Sequence, residues 1–192
     1  MAQTVRAAEM TSATPGDRGF EVVRAAVSRG VVESALRHIH LDLVRSGIPV
    51  DTLGRWLWSS HWFPHLKWDP AILALAGALP DALQEGELCD PQIILQPPDD
   101  CPDQELVAHV DREPEWAGER RFLRIVGVAL SAAHRENGGL RVWPFDGTGP
   151  EALELAPGDA VVMHPRLPHA SGLNREGGIR YAVYFRFLRP PG

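Results

Sequence analysis

From residue 92 to 188 the chain breaks into short apolar runs: QIILQ, ELVAHVD, FLRIVGVALS, GLRVW, ALELA, DAVVMH and IRYAVYFRFL. Clusters of Pro, Gly, Asp and Asn separate them. Seven such runs at this spacing indicate a β-sandwich or barrel. Several alternate in parity. In IRYAVYFRFL, Arg180, Ala182, Tyr184 and Arg186 share one face, and Tyr181, Val183, Phe185 and Phe187 share the other.

The N-terminal third has a different texture. Residues 1–18 mix Ala, Thr, Ser, Gly and Pro without periodicity and read as a partly disordered lead-in. FEVVRAAV is a short β-like run. Ser28 then caps an expected helix over 29–46, ending at Gly47, with Val32, Leu36, Ile39 and Leu43 on one face. His38 and His40 fall two apart on that helix, which sends them to different faces and argues against a shared metal site. Asp51 is expected to cap a short helix over TLGRWLWSS. Asp69-Pro70 opens another over PAILALAGAL, ended by Pro80. Between them HWFPHLKW, with His61 and His65, reads as packed aromatic structure. Helices of this kind need a sheet to cover. The expectation is therefore one mainly β domain over 19–192, with a helical part at 28–88 and a β-rich core at 92–188.

Charge and cysteine content narrow the function classes. A formal charge of −6, with Lys67 the only lysine, argues against a nucleic-acid binder. Cys89 and Cys101 lack CxxC spacing, and no window has the apolar length of a membrane span or a secretory leader. The expected setting is cytoplasmic, with no membrane partner. Oligomeric state is not specified by these patterns.

The chemistry-bearing stretch is AHVDREP. On a strand, Val107, His109 and Asp111 share a face, and a buried ionisable pair is costly unless it is paired or binds a metal. A third ligand is offered by His169, which follows the strand DAVVMHP and a Pro-rich turn and returns to face the pair. Two His and one carboxylate leave open positions on a metal, the arrangement of non-haem Fe(II) oxygenases. The competing explanation is a His–Asp hydrogen bond at a strand end. His164 is the rival to His169, read as a strand-end residue bonding within its loop, and His134 as exposed. An inward Arg180 demands an anionic partner, either a structural carboxylate or a bound one. Arg175 reads as solvated. Arg186 shares the parity of Arg180 but lies about 20 Å further along the strand. Arg112, Arg141 and Arg166 suit either a pocket for an anionic substrate or the surface.

Four segments, in order, resemble the phytanoyl-CoA dioxygenase-like family of Fe(II)/2-oxoglutarate-dependent oxygenases: LQPPDD, AHVD, ENGGLRVWP and GDAVVMHPRLPHASGLNREGGIR. The most specific run is HASGLN, followed by an arginine eleven residues after its histidine. The resemblance implies a double-stranded β-helix (jelly-roll) core with N-terminal α-helices packed on it. It implies His109, Asp111 and His169 as iron ligands. It assigns the distal carboxylate of 2-oxoglutarate to Arg180 with the hydroxyl of Ser171, and a turn-shaping role to Asn174. Gln96 falls near the cosubstrate, where relatives often carry a lysine. Gly127 stands where some relatives have an aromatic residue, which implies a wider pocket. PFDG departs from the family's usual Pro-Gly-Ser-His-like turn. Asp111 stands where family halogenases have a small residue, which argues against halogenation. The activity implied is oxidation of a C–H bond of a small-molecule substrate, using Fe(II), 2-oxoglutarate and O2 and releasing succinate and CO2. The substrate expected is an amino-acid derivative or a specialised-metabolite intermediate. The alternatives are a cupin-type metal enzyme without 2-oxoglutarate and a catalytically silent barrel serving as a binding module.

Overall fold

The structure is a computed structural model that describes residues 15–46, 66–89, 91–98, 107–113 and 115–190. Among the described residues, nine strands pair antiparallel in two sheets. They are β1 (Phe20–Val23), β2 (Glu87–Leu88), β3 (Gln92–Gln96), β4 (Phe122–Ala129), β5 (Leu140–Val142), β6 (Glu151–Ala152), β7 (Ala160–Met163), β8 (His169–Ser171) and β9 (Arg180–Leu188). The larger sheet runs β1-β7-β4-β9-β2 with β3 also on β9, and the smaller runs β6-β5-β8. Two α-helices, α1 (Arg29–Ser46) and α2 (Pro70–Gly77), lie among the same residues.

Strand alternation divides the interior into two cores. Val126, Val128, Ala160, Val162, Val183, Phe185 and Phe187 face α1 and α2, where they meet Val32, Ala35, Ile39, Ile72 and Leu75. The opposite parity, Ile125, Ala129, Val161, Met163, Ala182 and Tyr184, packs against Leu140 and Val142 of the small sheet. The layers are therefore helices, large sheet, small sheet, as expected for a mainly β chain with helices packed on its core. The inner face of β9 carries Arg180, Ala182 and Tyr184, opposite Gln96, Ile94 and Gln92 of β3. That face positions the site.

The helix starts follow from local chemistry. The Asp69 carboxylate accepts the Ala71 N–H at 2.8 Å, and Pro70 occupies the first turn of α2. The Ser28 carbonyl takes the Val31 and Val32 N–H groups at the head of α1. His38 and His40 diverge as their spacing requires. His38 reaches Asp69 at 3.2 Å, while the ring of His40 meets Tyr181 edge-on at 5.1 Å.

Two elements differ from expectation. Glu87–Leu88, placed in the helical part by sequence, pairs with β9 instead. His169 does not merely follow a strand: it opens β8, paired with Val142 of β5. Three residues between a Pro-containing turn and a Gly are too few to show periodicity, so β8 has no signature of its own. Residues 1–14 of the lead-in, the expected helix over TLGRWLWSS, and His61 and His65 lie outside the described residues. Among the described residues, no helix is long and apolar enough to cross a membrane.

The buried carboxylate of Asp159 ties the N-terminal strand to the core. It accepts the Ala25 N–H at 2.8 Å, the Ala156 N–H at 2.9 Å and the Arg24 guanidinium at 2.6 Å. Burial pushes this carboxyl up, but the two amides and Arg24 together hold it below the ordinary carboxylate value. Asp159→Asn turns one acceptor into a donor facing an N–H, and is expected to cost about 1–2 kcal/mol at neutral pH. A group with a depressed folded pKa contributes stability above its unfolded value of 3.8 and loses it as pH falls through the folded value. The gap between the urea midpoints of wild type and Asp159→Asn should therefore close only below that pH.

Candidate metal centre

His109 and His169 are drawn together by backbone before any side chain is considered. The His109 N–H donates to the His169 carbonyl at 3.0 Å, and the His169 N–H returns the bond at 2.9 Å. This is an isolated bridge, not a ladder. The expected strand face through Val107, His109 and Asp111 is thus corrected. Only one residue of the stretch pairs, since β8 is itself three residues long. Val107 is 82% exposed and Val110 44%. The His109 ring is exposed rather than buried, while Asp111 is half-buried and His169 buried.

Each imidazole turns its Nδ1 toward a backbone carbonyl two residues earlier. For His169 the partner is Leu167 at 3.0 Å, and for His109 it is Val107 at 3.3 Å. An Nδ1–H donated to a carbonyl leaves the Nε2 lone pair free as a ligand. The His169 Nε2 lies 3.9 Å from Asp111 Oδ1, and the two rings are 4.6 Å apart. One donor atom from each of His109, Asp111 and His169 falls within 4.8 Å of the others. Burial first, then the charges of His109 and Arg186, push the His169 imidazole below its ordinary value against the pull of Leu167 and Asp111. The ring is therefore neutral near pH 7, the form that binds a metal.

Arg180 projects from the start of β9 and is 2% exposed. Its Nη2 reaches Ser171 Oγ at a long 3.4 Å, and among the described residues its Nε has no hydrogen-bond partner. Burial lowers its pKa, opposed only by Tyr184, yet a guanidinium stays protonated in proteins. A charged, buried, under-satisfied fork beside a hydroxyl is a site shaped for an anion. Gln96 is the register partner of Arg180 on β3 and is itself buried. Its carbonyl accepts the Asn174 side-chain amide at 2.8 Å, and the same amide reaches the Gly178 carbonyl at 2.7 Å. Asn174 thus holds the loop between β8 and β9 closed, the turn-shaping role expected of it.

The rivals sit elsewhere. His164 accepts the Arg166 N–H at Nδ1, 3.1 Å away, and packs edge-on against Phe145 at 5.4 Å. It bonds within its loop, as read from sequence. His134 is half-buried rather than exposed, and lies 3.4 Å from Glu176. Arg112, Arg166 and Arg175 are exposed, and Arg141 is half-buried.

Gly127 does not open a wider pocket. Tyr184, its register partner on β9, lays its ring over the glycine, and a Cβ there would meet the ring at 2.5 Å. A cross-strand aromatic fills the space that the glycine vacates. The cavity left among Gly127, Ala133, Leu140, Leu155, Arg180 and Tyr184 is only about 10 Å³.

One participant escaped the sequence reading. Arg186 does not act at a distance from the trio: its Nε donates to Asp111 Oδ2 at 2.8 Å. Its parity with Arg180 was visible, but what it meets depends on where the irregular stretch at 107–113 passes.

The family model for phytanoyl-CoA dioxygenase (PhyH) matches residues 145–182, a span that includes His169, Ser171 and Arg180. No curated protein matches the chain. Similar solved structures include the non-haem α-ketoglutarate-dependent carbocyclase SnoK from nogalamycin biosynthesis, with a TM-score of 0.64 at 14% identity over 90% of this chain and 80% of that one. HygX from Streptomyces hygroscopicus, with nickel and 2-oxoglutarate bound, gives 0.62 at 15% identity over 90% and 83%. AviO1 from Streptomyces viridochromogenes Tue57 gives 0.60 at 18% identity over 98% of both chains. The chain therefore has the jelly-roll fold of these structures, with a segment over residues 145–182 that is similar to phytanoyl-CoA dioxygenase.

Proposed function

We propose that the chain is a non-haem Fe(II)/2-oxoglutarate-dependent oxygenase, built on a single domain over 19–192, that oxidises a C–H bond of a small molecule. The observation that carries this reading is the proximity of two donor sets. Ligand atoms of His109, Asp111 and His169 converge within 4.8 Å of one another. Alongside sits the buried guanidinium of Arg180, for which no carboxylate partner is found among the described residues. A hydrogen-bonded His–Asp pair explains the first but not the second. A cupin-type metal enzyme that uses no dicarboxylate has no need of Arg180.

The donor set fits the group. Two imidazoles and one carboxylate suit Fe(II) and leave positions open. Arg180 and Ser171 would grip the distal carboxylate of 2-oxoglutarate, with Gln96 beside them. When bound, iron and cosubstrate supply O2 activation, with release of succinate and CO2. The chain's own work is geometric. The Leu167 and Val107 carbonyls fix the imidazole tautomers, and the covering sheets keep water from Arg180. For the substrate we favour an amino-acid derivative or a specialised-metabolite intermediate, a reading supported by the likeness to a carbocyclase from nogalamycin biosynthesis. A reducing cytoplasm suits a ferrous ion.

Anaerobic titration with Fe(II) and then 2-oxoglutarate tests the reading. A visible charge-transfer band should develop only when both are present, and should be lost in His169→Ala. Its absence in the wild-type protein, under conditions where a known 2-oxoglutarate oxygenase shows it, overturns the assignment.

A further inference from the structure

The second inward arginine of β9 makes a contact that the oxygenase reading does not require. Arg186 is 8% exposed and places two nitrogens on one oxygen of Asp111, Nε at 2.8 Å and Nη2 at 2.7 Å from Oδ2. The same Nη2 donates to Gln92 Oε1 at 2.6 Å. The other carboxylate oxygen, Oδ1, is the one turned toward His169 Nε2. The division of labour within the carboxylate is complete: Oδ2 faces the guanidinium and Oδ1 faces the imidazole.

The platform behind this contact is paired on both sides, and the residue it holds lies outside any strand. Arg186 pairs with Ile125 of β4 on one side, and its carbonyl accepts the Cys89 N–H at 2.9 Å on the other. Asp111 lies just past the single bridge at His109, in a stretch whose Val107 and Val110 side chains are exposed. No strand ladder sets the direction of its carboxylate. We propose that Arg186, held by Gln92, is a positioning residue for the metal-ligating carboxylate: it occupies Oδ2 so that Oδ1 alone is presented to the ion. Without that hold the carboxylate is free to turn, or to offer both oxygens and take a coordination position that the cosubstrate or O2 needs. This inference rests on the metal-centre reading above. It adds that the direction and denticity of Asp111 are set from β9 and β3, not from its own segment.

Metal affinity tests it without recourse to activity. Mn(II) serves as the probe, its free form followed by electron paramagnetic resonance, with Asp111→Ala as the baseline for loss of a ligand. Partners that orient a ligand typically contribute 10–100-fold in affinity, so Arg186→Gln should bind Mn(II) weaker by about that factor. Arg186→Lys keeps the charge but not the two-nitrogen grip, and should recover only part of the loss. Gln92→Ala touches Asp111 only through Arg186 and should weaken Mn(II) roughly fivefold, the share of one hydrogen bond. Thermal unfolding of the same samples separates positioning from general destabilisation. A folded Arg186→Gln protein with wild-type Mn(II) affinity overturns the proposal. Should that variant fail to fold, wild-type affinity in Gln92→Ala overturns it instead. Failure of the wild-type protein to bind Mn(II) removes the metal-centre reading itself, and this inference with it.

Discussion

Arg180→Met is expected to make the ligand-free protein more stable while costing it its hold on 2-oxoglutarate. In the structure the guanidinium is 2% exposed, touches one hydroxyl at 3.4 Å and leaves its Nε unsatisfied. A buried charge without a counter-charge is a net cost to the fold. Methionine is apolar and flexible enough to fill much of the same channel between β3, β8 and β9. Exchanging buried charge for apolar bulk is often stabilising by about 1–4 kcal/mol, and Arg180, with no carboxylate partner among the described residues, falls in that range. For the cosubstrate the sign reverses. Removing one partner of a buried, charge-assisted contact costs about 2–5 kcal/mol, so 2-oxoglutarate should bind the Mn(II)-loaded variant roughly 30–5000-fold more weakly. Urea unfolding without ligands and calorimetric titration of 2-oxoglutarate read the two effects separately. A variant that is less stable and binds 2-oxoglutarate normally would make Arg180 a structural residue.

The same strand shows how much of the fold and site was legible beforehand. The alternation of IRYAVYFRFL sorts correctly into two cores, with Val183, Phe185 and Phe187 toward the helices and Ala182 and Tyr184 toward the small sheet. Period two is a local property, so it survives translation from sequence to structure. Asp69-Pro70 was legible for a similar reason, since a cap is a contact within two residues. What failed was information carried between segments distant in sequence. HxD looked like one face of a strand because each residue obeys the parity. Whether a stretch pairs at all depends on where its neighbour passes, and here the one bridge is that of His109 with His169. Gly127 suggested space, but the space belongs to whichever side chain stands opposite, and that is Tyr184. Arg186 could be assigned a face but not a partner, because its partner comes from the stretch without a ladder. The convergence of His109, Asp111 and His169 was expected on spacing and resemblance. The contacts that orient them come from Leu167, Gln92 and Arg186, and no spacing rule points to those residues.

Asp111→Ala should remove metal binding and, unlike the loss of a histidine ligand, also damage the fold. The carboxylate is a counter-charge of Arg186, and the two side chains are 11% and 10% exposed. Deleting it breaks this ion pair on the inner face of β9, where Gln92 also touches the guanidinium. Breaking a buried pair from one side costs several kcal/mol. With each group slightly solvated, the expected loss is about 2–4 kcal/mol in the metal-free protein. His109→Ala should abolish Mn(II) binding as thoroughly, yet its ring is exposed and held by one 3.3 Å contact, so it should cost only about 0.5 kcal/mol. The double variant Asp111→Ala/Arg186→Met removes both members of the pair and should regain part of the lost stability without regaining metal. Denaturation midpoints of the three metal-free variants separate these outcomes. Equal costs for Asp111→Ala and His109→Ala, with no recovery in the double variant, would show that Asp111 is held by its segment rather than by Arg186. The stability difference between two ligands of one centre therefore reports which of them is anchored by charge from outside its own stretch of chain.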